Sequence, residues 1–163
     1  MKAEDRYDSL FKFYAHEAGF IAGEWRLFKA QVKQESGFNP DIKNKHSGAT
    51  GLAQFMPKTW EEWRDSTPGI QSLGVNGQLV DWRDPEDAIK AQIHYMKWLL
   101  KAVGNHWDKA LAAYNWGIGN IWKAEKKEGV WTDHLPNETA DYIVKINRYY
   151  REYQHEALKS YGC

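Results

Sequence analysis

The stretch "QVKQESGFNP" (Gln31 to Pro40) ends a helical pattern on a glutamate. Glu35 is followed by Ser36 and Gly37, and a glycine just past the last turn together with Pro40 predicts that the helix stops here. A glutamate at a helix end is most often a solvated surface charge. Whether this one has a chemical role depends on the sequence around it.

Composition indicates one water-soluble globular domain spanning residues 1–163. Hydrophobic residues make up 42% of the chain and charged residues 27%, with no repeat or linker. No run approaches the roughly 18 apolar residues of a membrane span, so we expect no membrane insertion. The 22 basic and 22 acidic residues cancel without a dense basic stretch, which argues against a nucleic-acid partner. We expect a monomer.

Apolar residues recur at three- and four-residue spacing along most of the chain, which predicts a mainly α fold. We expect six helical segments. Five begin near Tyr7 (ending by Gly19), Glu24 (ending near Glu35), Pro57, Asp84 (ending at Gly104) and Trp107 (broken at Gly117 and Gly119). The last is a long helix after "LPNETADY", with Tyr142, Ile146, Tyr149 and Tyr153 on one face.

The clearest helix start is "DPEDAIKAQIHYMKWLL", in which Asp84 suits the N-cap and Pro85 the first helical position. Its apolar stripe belongs to the core and consists of Ile89, Ile93, Met96, Leu100 and Val103. Residues 38–56 are predicted to form a loop or short irregular strands, and residues 65–83 a long irregular connection.

Four short segments follow one another at these expected breaks. They are "ESGFNP" (35–40), "SGATGLAQFMPKTW" (47–60), "AAYNWGIG" (112–119) and "LPNETADYI" (135–143). In this order they resemble the catalytic domain of soluble lytic transglycosylases, which is similar to goose-type lysozymes. The resemblance implies a lysozyme-like α-helical domain with a small irregular or β segment beside a substrate groove. Its substrate would be the glycan strands of peptidoglycan.

By this resemblance Glu35 is the single catalytic acid/base. Cleavage of the β-1,4 bond between N-acetylmuramic acid and N-acetylglucosamine requires a carboxyl group that is still protonated near neutral pH. A free glutamate titrates near pH 4.3, and burial beside apolar groups together with the negative helix end would raise its pKa. The resemblance further implies 1,6-anhydromuramic acid ends, because the substrate's own 6-hydroxyl replaces water as the nucleophile.

The same resemblance implies further substrate-binding residues. Ser36 follows the acid, although a local helix-end hydrogen bond explains it equally well. Gln54 would offer an amide donor and acceptor to a sugar, and Met56 would form the groove floor unless it packs in the core. Tyr114 would hydrogen-bond the catalytic carboxylate or the substrate carbonyl, and Asn115 would position the N-acetyl group.

Glu138 and Tyr142 complete the implied site, one helical turn apart. Glu138 would support the site from behind or simply complement the start of its helix. Two positions depart from the family pattern: Lys45 stands where a serine is frequent, and Ala53 where a methionine is common. The first puts one sugar or peptide contact in doubt, and the second would widen or loosen the groove floor.

The six histidines form no ligand pattern, so we expect no metal and no cofactor. Cys163, the terminal residue, is expected to be an exposed thiol without a catalytic role. Two alternatives stay open. One is an inverting hydrolase, which needs a second carboxylate from Asp65, Asp81 or Asp84 to activate water. The other is a wall-binding module without activity.

The start of the chain bears on where the protein acts. The N-terminus lacks the apolar run and cleavage site of a signal peptide. We therefore expect a protein made in a host cytoplasm that acts on the cell wall, encoded by a bacteriophage as an endolysin or virion enzyme. A domain trimmed from a larger periplasmic enzyme is the rival interpretation.

Overall fold

A computed structural model describes residues 2–67 and 81–161, without the side chains of residues 64–66. The described chain is mainly helical, which confirms the predicted fold class. The α-helices are α1 (Asp8–Glu17), α2 (Trp25–Ser36), α3 (Pro57–Ser66), α4 (Pro85–Ala102), α5 (Trp107–Trp116), α6 (Ile118–Glu125) and α7 (Asn137–Ser160). Short 3-10 helices cover Ala3–Asp5 and Trp131–His134. Among the described residues, no helix is long and apolar enough to span a membrane.

Helix α2 runs through the middle of the core. It lies against α1 on one side and against the long α7 on the other, while α5 contacts α4, α6 and α7. The inward residues of α2 include Phe28 and Val32, both fully buried, as the spacing predicts. Helix α2 therefore carries core residues along its length, while its C-terminal end comes to the surface at the exposed Gly37.

Helix α4 follows its sequence signals closely. The Asp84 side chain accepts a hydrogen bond of 3.0 Å from the Asp87 backbone N–H, which confirms the predicted N-cap. Four of the five predicted stripe residues are buried, and Val103 packs against the core from its edge. The stripe therefore packs α4 into the main core, where the helix contacts α1 and α5.

Two helix boundaries differ from prediction. Gly117 ends α5 with φ of +101°, but Gly119 lies inside a separate helix, α6, so the predicted break at Gly119 is wrong. The side chain of Asn120 donates 2.7 Å to the Trp116 carbonyl across this junction. Helix α3 also extends to Ser66, so the predicted irregular connection does not start at Asp65. Residues 68–80 and Cys163 lie outside the described residues.

The segment between α2 and α3 supplies the small irregular β element that was predicted. Isolated antiparallel bridges pair Lys43 with Thr50 and Thr50 with Phe55. Gly51 sits at the closest approach in this segment, with φ of +84°, and a Cβ there would meet the Trp82 carbonyl oxygen at 2.4 Å. Glycine is therefore required for the segment to lie against the start of α4.

The N-terminal residues are tied to α2 by a buried cation. The Lys29 ammonium contacts Asp5 at 2.5 Å and Asp8 at 2.9 Å, and only 4% of its side chain is exposed. It also lies over the Tyr153 ring, 4.4 Å from the centroid. Burial opposes the charge of Lys29, but the two carboxylates outweigh it, so the pKa of the ammonium is raised. This cluster joins the first residues, α2 and α7.

Candidate active site

Glu35 is the penultimate residue of α2, and the chain turns away immediately after it. Gly37 takes φ of +60° and donates 3.0 Å to the Lys33 carbonyl, which closes the helix in a left-handed cap. The Glu35 side chain opens into a pocket of about 360 Å³. The pocket lining consists of Gln34, Glu35, Asn44, Ser47, Ala49, Gln54, Met56, Tyr114, Asn115, Glu138 and Tyr142.

The environment of Glu35 favours its neutral form. Burial raises the pKa of its carboxyl group to about 8, and the nearby Glu138 carboxylate adds to the rise. The Tyr142 hydroxyl donates a hydrogen bond of 2.8 Å to Oε2 of Glu35, which acts in the opposite direction. Burial is the larger effect, so the carboxyl group still holds its proton at neutral pH.

Tyr114 does not contact the carboxyl group as expected. Its hydroxyl donates 2.8 Å to the carbonyl oxygen of Ala53, while Tyr142 makes the hydrogen bond to Glu35. The reason is geometric: Tyr114 crosses from α5 to the loop before α3, and its ring packs 5.3 Å from that of Tyr95. Burial, with the Glu35 charge adding to it, raises the pKa of Tyr114 well above its usual value.

Asn115 is oriented by Thr139, which was not among the expected site residues. The buried Thr139 hydroxyl donates 2.8 Å to Oδ1 of Asn115. With its oxygen engaged, the side chain presents its NH₂ group as the remaining donor. Thr139 lies between Glu138 and Tyr142 in "NETADY", and its place between two expected site residues was the available signal.

Gln54 is held in a strained loop conformation. Its φ of +51° is unusual for a residue other than glycine. Its Nε2 donates 3.0 Å to the Gly51 carbonyl and 3.2 Å to the Ile42 carbonyl. The amide donors therefore hold the loop together and are not available to a sugar, so the expected donor role is not supported. The side-chain oxygen remains the group that Gln54 offers to a ligand.

The other expected residues divide into those at the pocket and one away from it. Met56 is 44% exposed and lines the pocket, so it is not a core residue. Glu138 lies exposed in the first turn of α7 and also lines the pocket. Ser36 does not reach the pocket, because it is buried and its hydroxyl donates 3.2 Å to the Val32 carbonyl.

The loop between α2 and α3 contributes lining residues that were not among the expected site residues. Oδ1 of Asn44 accepts from the backbone N–H groups of His46 and Ser47, at 2.9 and 3.1 Å. These contacts fold the loop so that both Asn44 and Ser47 line the pocket. The two departures lie elsewhere: Lys45 is not among the lining residues, and Ala53 is buried beneath the loop.

Two of the three aspartates that an inverting hydrolase could use, Asp81 and Asp84, have other contacts. Asp84 caps α4, and Asp81 accepts from the Arg83 backbone N–H at 2.9 Å. Neither lines the pocket, and the side chain of Asp65 lies outside the described part of the structure. Among the lining residues, the second carboxylate belongs to Glu138.

The sequence from α1 to the second 3-10 helix carries a family signature. Residues 16–134 match the transglycosylase SLT domain. The chain belongs to this family. The matched part of the SLT domain contains Glu35, Gln54, Met56, Tyr114 and Asn115, and it ends before α7.

Curated relatives of this SLT domain are longer proteins. The chain is 29% identical to the membrane-bound lytic murein transglycosylase F of Photobacterium profundum, over 90% of its own length and 31% of that protein's. It is 32% identical to the soluble lytic murein transglycosylase of Salmonella typhimurium, over 80% of its own length and 21% of that protein's. The chain therefore spans less than a third of the length of these relatives.

Solved structures share the fold. An inactive mutant of the lytic transglycosylase Slt from Pseudomonas aeruginosa superposes with a TM-score of 0.79 at 23% identity. The superposition covers 94% of this chain and 24% of the other. The helical fold of this chain therefore belongs to a known architecture.

Proposed function

We propose that this chain is a peptidoglycan lytic transglycosylase. It cleaves the β-1,4 bond between N-acetylmuramic acid and N-acetylglucosamine and leaves 1,6-anhydromuramic acid ends. The observation that carries the proposal is the Glu35 carboxyl group, which opens into a polar pocket and whose pKa is raised to about 8. The SLT family membership and the names of the relatives point to the same activity.

Glu35 acts twice in the proposed reaction. It first donates its proton to the glycosidic oxygen, and the bond from that oxygen to the muramic acid C1 breaks. The substrate's own N-acetyl oxygen stabilises the positive charge at C1. The Glu35 carboxylate then takes the proton of the 6-hydroxyl as that oxygen attacks C1 and closes the anhydro ring. No water is consumed, and Glu35 ends the cycle protonated.

The pocket residues have matching roles in this mechanism. The Asn115 NH₂ group donates to the N-acetyl carbonyl and so sets the position of that group, with Thr139 fixing the amide. The Gln54 oxygen accepts from a sugar N–H or hydroxyl, since its nitrogen is engaged with the loop. Met56 offers an exposed apolar surface to a sugar ring, and Tyr142 holds the acid.

Product analysis tests the reaction type. Purified cell walls are digested in water enriched in ¹⁸O, and the released muropeptides are measured by mass spectrometry. We expect anhydro ends without ¹⁸O. Reducing ends that carry ¹⁸O would identify the protein as a hydrolase and overturn the proposal.

A matched variant tests the acid. Glu35→Gln keeps the shape of the side chain and its hydrogen bond from Tyr142 but cannot give a proton. We expect it to clear cell-wall suspensions at least about 1,000-fold more slowly than the wild type, within the range seen when a catalytic group is removed. Equal clearing by both proteins would sink the assignment of Glu35. Binding to walls without clearing by either would indicate a wall-binding module.

We further propose that residues 1–163 form one domain and that the protein is a monomer. We also propose that it is encoded by a bacteriophage, as an endolysin or a virion enzyme. The neutral charge balance supports recognition within the pocket rather than long-range attraction to the wall. Light scattering after size-exclusion chromatography tests the monomer. For an endolysin, cells expressing the protein should lyse when the cytoplasmic membrane is permeabilised from within, and lysis before permeabilisation would contradict this setting.

A further inference from the structure

A chain of buried hydrogen bonds lies behind Glu35, on the side away from the pocket. Gln31 and Gln92 are 0% exposed, and neither lines the pocket. Nε2 of Gln92 donates 2.8 Å to Oε1 of Gln31, and Nε2 of Gln31 donates 3.1 Å to the Tyr142 hydroxyl oxygen. Tyr142 then donates 2.8 Å to Oε2 of Glu35. Helices α4, α2 and α7 are joined by this chain of donors.

The direction of every bond in the chain follows from its first acceptor. Nε2 of Gln92 also donates 3.1 Å to the backbone carbonyl of Phe28. A carbonyl oxygen can only accept, so Gln92 must turn its NH₂ group toward α2. Gln31 consequently receives on its oxygen and must present its own NH₂ group to Tyr142. The single hydroxyl proton of Tyr142 is left to point at Glu35.

In this orientation the side-chain oxygen of Gln92 is left without a hydrogen bond: within the described part of the chain, its buried Oε1 has no partner. Turning the amide over would place that oxygen against two other oxygens, those of Phe28 and Gln31, which is worse. The NH₂ group is therefore held where it is by both of its acceptors.

We propose that Gln92 and Gln31 are positioning residues that aim the Tyr142 proton at Oε2 of Glu35, so that the proton which Glu35 transfers is carried on Oε1. Among the described residues, Oε1 receives no hydrogen bond that would compete for that place. The importance of the proton rests on the proposed function, but the orientation does not. The titratable groups facing Glu35 are Glu138 and Tyr142 of α7 and Tyr114 of α5.

Removing Gln92 should reverse the chain. In Gln92→Met, Gln31 is free to turn and present its oxygen to Tyr142, which then donates to Gln31 instead of Glu35. The carboxyl group loses its donor, and its proton moves to Oε2 to meet the Tyr142 oxygen. In the double variant Gln31→Met/Gln92→Met the competing acceptor is gone, and Tyr142 returns its proton to Glu35.

The experiment titrates Glu35 directly by NMR in the full chain labelled with ¹³C at the glutamate side-chain carboxyl, with the signal assigned by Glu35→Gln. We expect Gln92→Met to raise the pKa of Glu35 by about 1, the effect of losing one hydrogen bond to a charged group. The double variant should return the pKa toward the wild-type value. In a Tyr142→Phe background, which raises the pKa on its own, Gln92→Met should add nothing.

The double variant separates positioning from packing. Loss of packing at two buried sites accumulates, whereas the proposal requires the second substitution to reverse the effect of the first. A Glu35 pKa that is unchanged in Gln92→Met, or shifted further in the double variant, overturns it. If Gln92→Met shows no cooperative thermal transition, Tyr142→Phe tests the last bond of the chain, and an unchanged Glu35 pKa there refutes the proposal.

Activity supplies an independent readout. The alkaline limb of the pH profile of kcat/KM should move upward with the titrated pKa of Glu35, and kcat should fall in Gln92→Met and recover in the double variant. A limb that stays fixed while the pKa moves contradicts the assignment. Because the titration needs no turnover, its result stands even if the wild type released no anhydro product, so the two proposals fail separately.

Discussion

At the residue scale, the fold holds the Glu35 carboxyl group in its protonated form, which a free glutamate scarcely populates near neutral pH. Its pKa rises from 4.5 to about 8 on folding, chiefly through burial. Between these values the folded state binds more protons than the unfolded state, so stability falls as the pH rises. Below about pH 4.5 both states are protonated and the cost vanishes. The raised pKa of Glu35 therefore lowers the free energy of unfolding at neutral pH.

Glu35→Gln should therefore stabilise the protein in a pH-dependent way. We expect its free energy of unfolding to exceed that of the wild type by about 3 kcal/mol at pH 8, a value reduced from the full shift because the carboxyl group opens into the pocket. The difference should vanish near pH 4. Urea denaturation across this range measures it. Glu61→Gln, on an exposed position of α3, serves as the control, and a gain independent of pH would refute the prediction.

The sequence motifs predicted most of the pocket but not its internal contacts. Seven of the eight expected site residues line it, and Ser36 is the exception. The motifs could not tell which tyrosine meets the acid, because Tyr114 and Tyr142 lie on different helices and only their packing separates them. Asn44 and Ser47 were missed for a related reason: loop side chains are aimed by local turns that no periodicity marks.

At the scale of elements, the start of α4 was predicted correctly, whereas the division of the next helical run into α5 and α6 was not. Asp84 was predicted as the cap of α4 from its neighbours, since a cap depends on a few adjacent residues. Helix α6 was not predicted, because Gly117 and Gly119 look alike in sequence and only the first has φ above zero. Tertiary contacts decide between two such glycines.

Substitutions at Asp84, the N-cap of α4, measure the stability that the cap contributes and test whether Asp84 also acts in catalysis. Asp84→Ala removes the bond to the Asp87 N–H and should destabilise the fold by about 1 kcal/mol. Asp84→Asn keeps an acceptor and should be close to wild type in both thermal stability and wall clearing. If Asp84→Asn clears walls at least tenfold more slowly while remaining folded, Asp84 acts in the chemistry and the hydrolase interpretation regains support.

Gly51 and Gly48 form a matched pair in the pocket loop. Both have positive φ, but a Cβ at Gly51 would meet the Trp82 carbonyl oxygen at 2.4 Å, whereas at Gly48 the nearest atom is 3.6 Å away on Pro57. Gly48→Ala should cost about 1 kcal/mol through backbone strain alone. Gly51→Ala must also move the loop, so we expect a loss of about 3 kcal/mol or more. Thermal unfolding of both variants measures this, and equal losses would contradict the close approach.

At the scale of the whole molecule, the first residues are part of the fold that supports the site. Lys29 joins Asp5 and Asp8 to the helix that carries Glu35, with Tyr153 of α7 beneath the ammonium. Sequence patterns did not predict this cluster. Its members lie on separate elements, and a lysine on an amphipathic helix normally reaches solvent.

Lys29→Met should consequently destabilise the whole domain. It leaves two partly buried carboxylates without their cation, and we expect a loss of about 2–3 kcal/mol. Lys33→Met is the control, since Lys33 pairs with Glu4 at 3.2 Å and is 31% exposed, so its loss should stay below about 1 kcal/mol. Chemical denaturation at pH 7 compares them. Similar losses in the two variants would show that the Lys29 cluster is not a special support.

The buried amides behind Glu35 have a last consequence for turnover. An amide N–H is far too weak an acid to pass a proton along, so the path from Gln92 to Tyr142 orients the acid but cannot recharge it. Glu35 can exchange protons only with whatever occupies the pocket. In the proposed cycle the departing sugar takes one proton and the 6-hydroxyl of the muramic acid returns one. Glu35 therefore needs no proton from the surrounding buffer between successive cleavages.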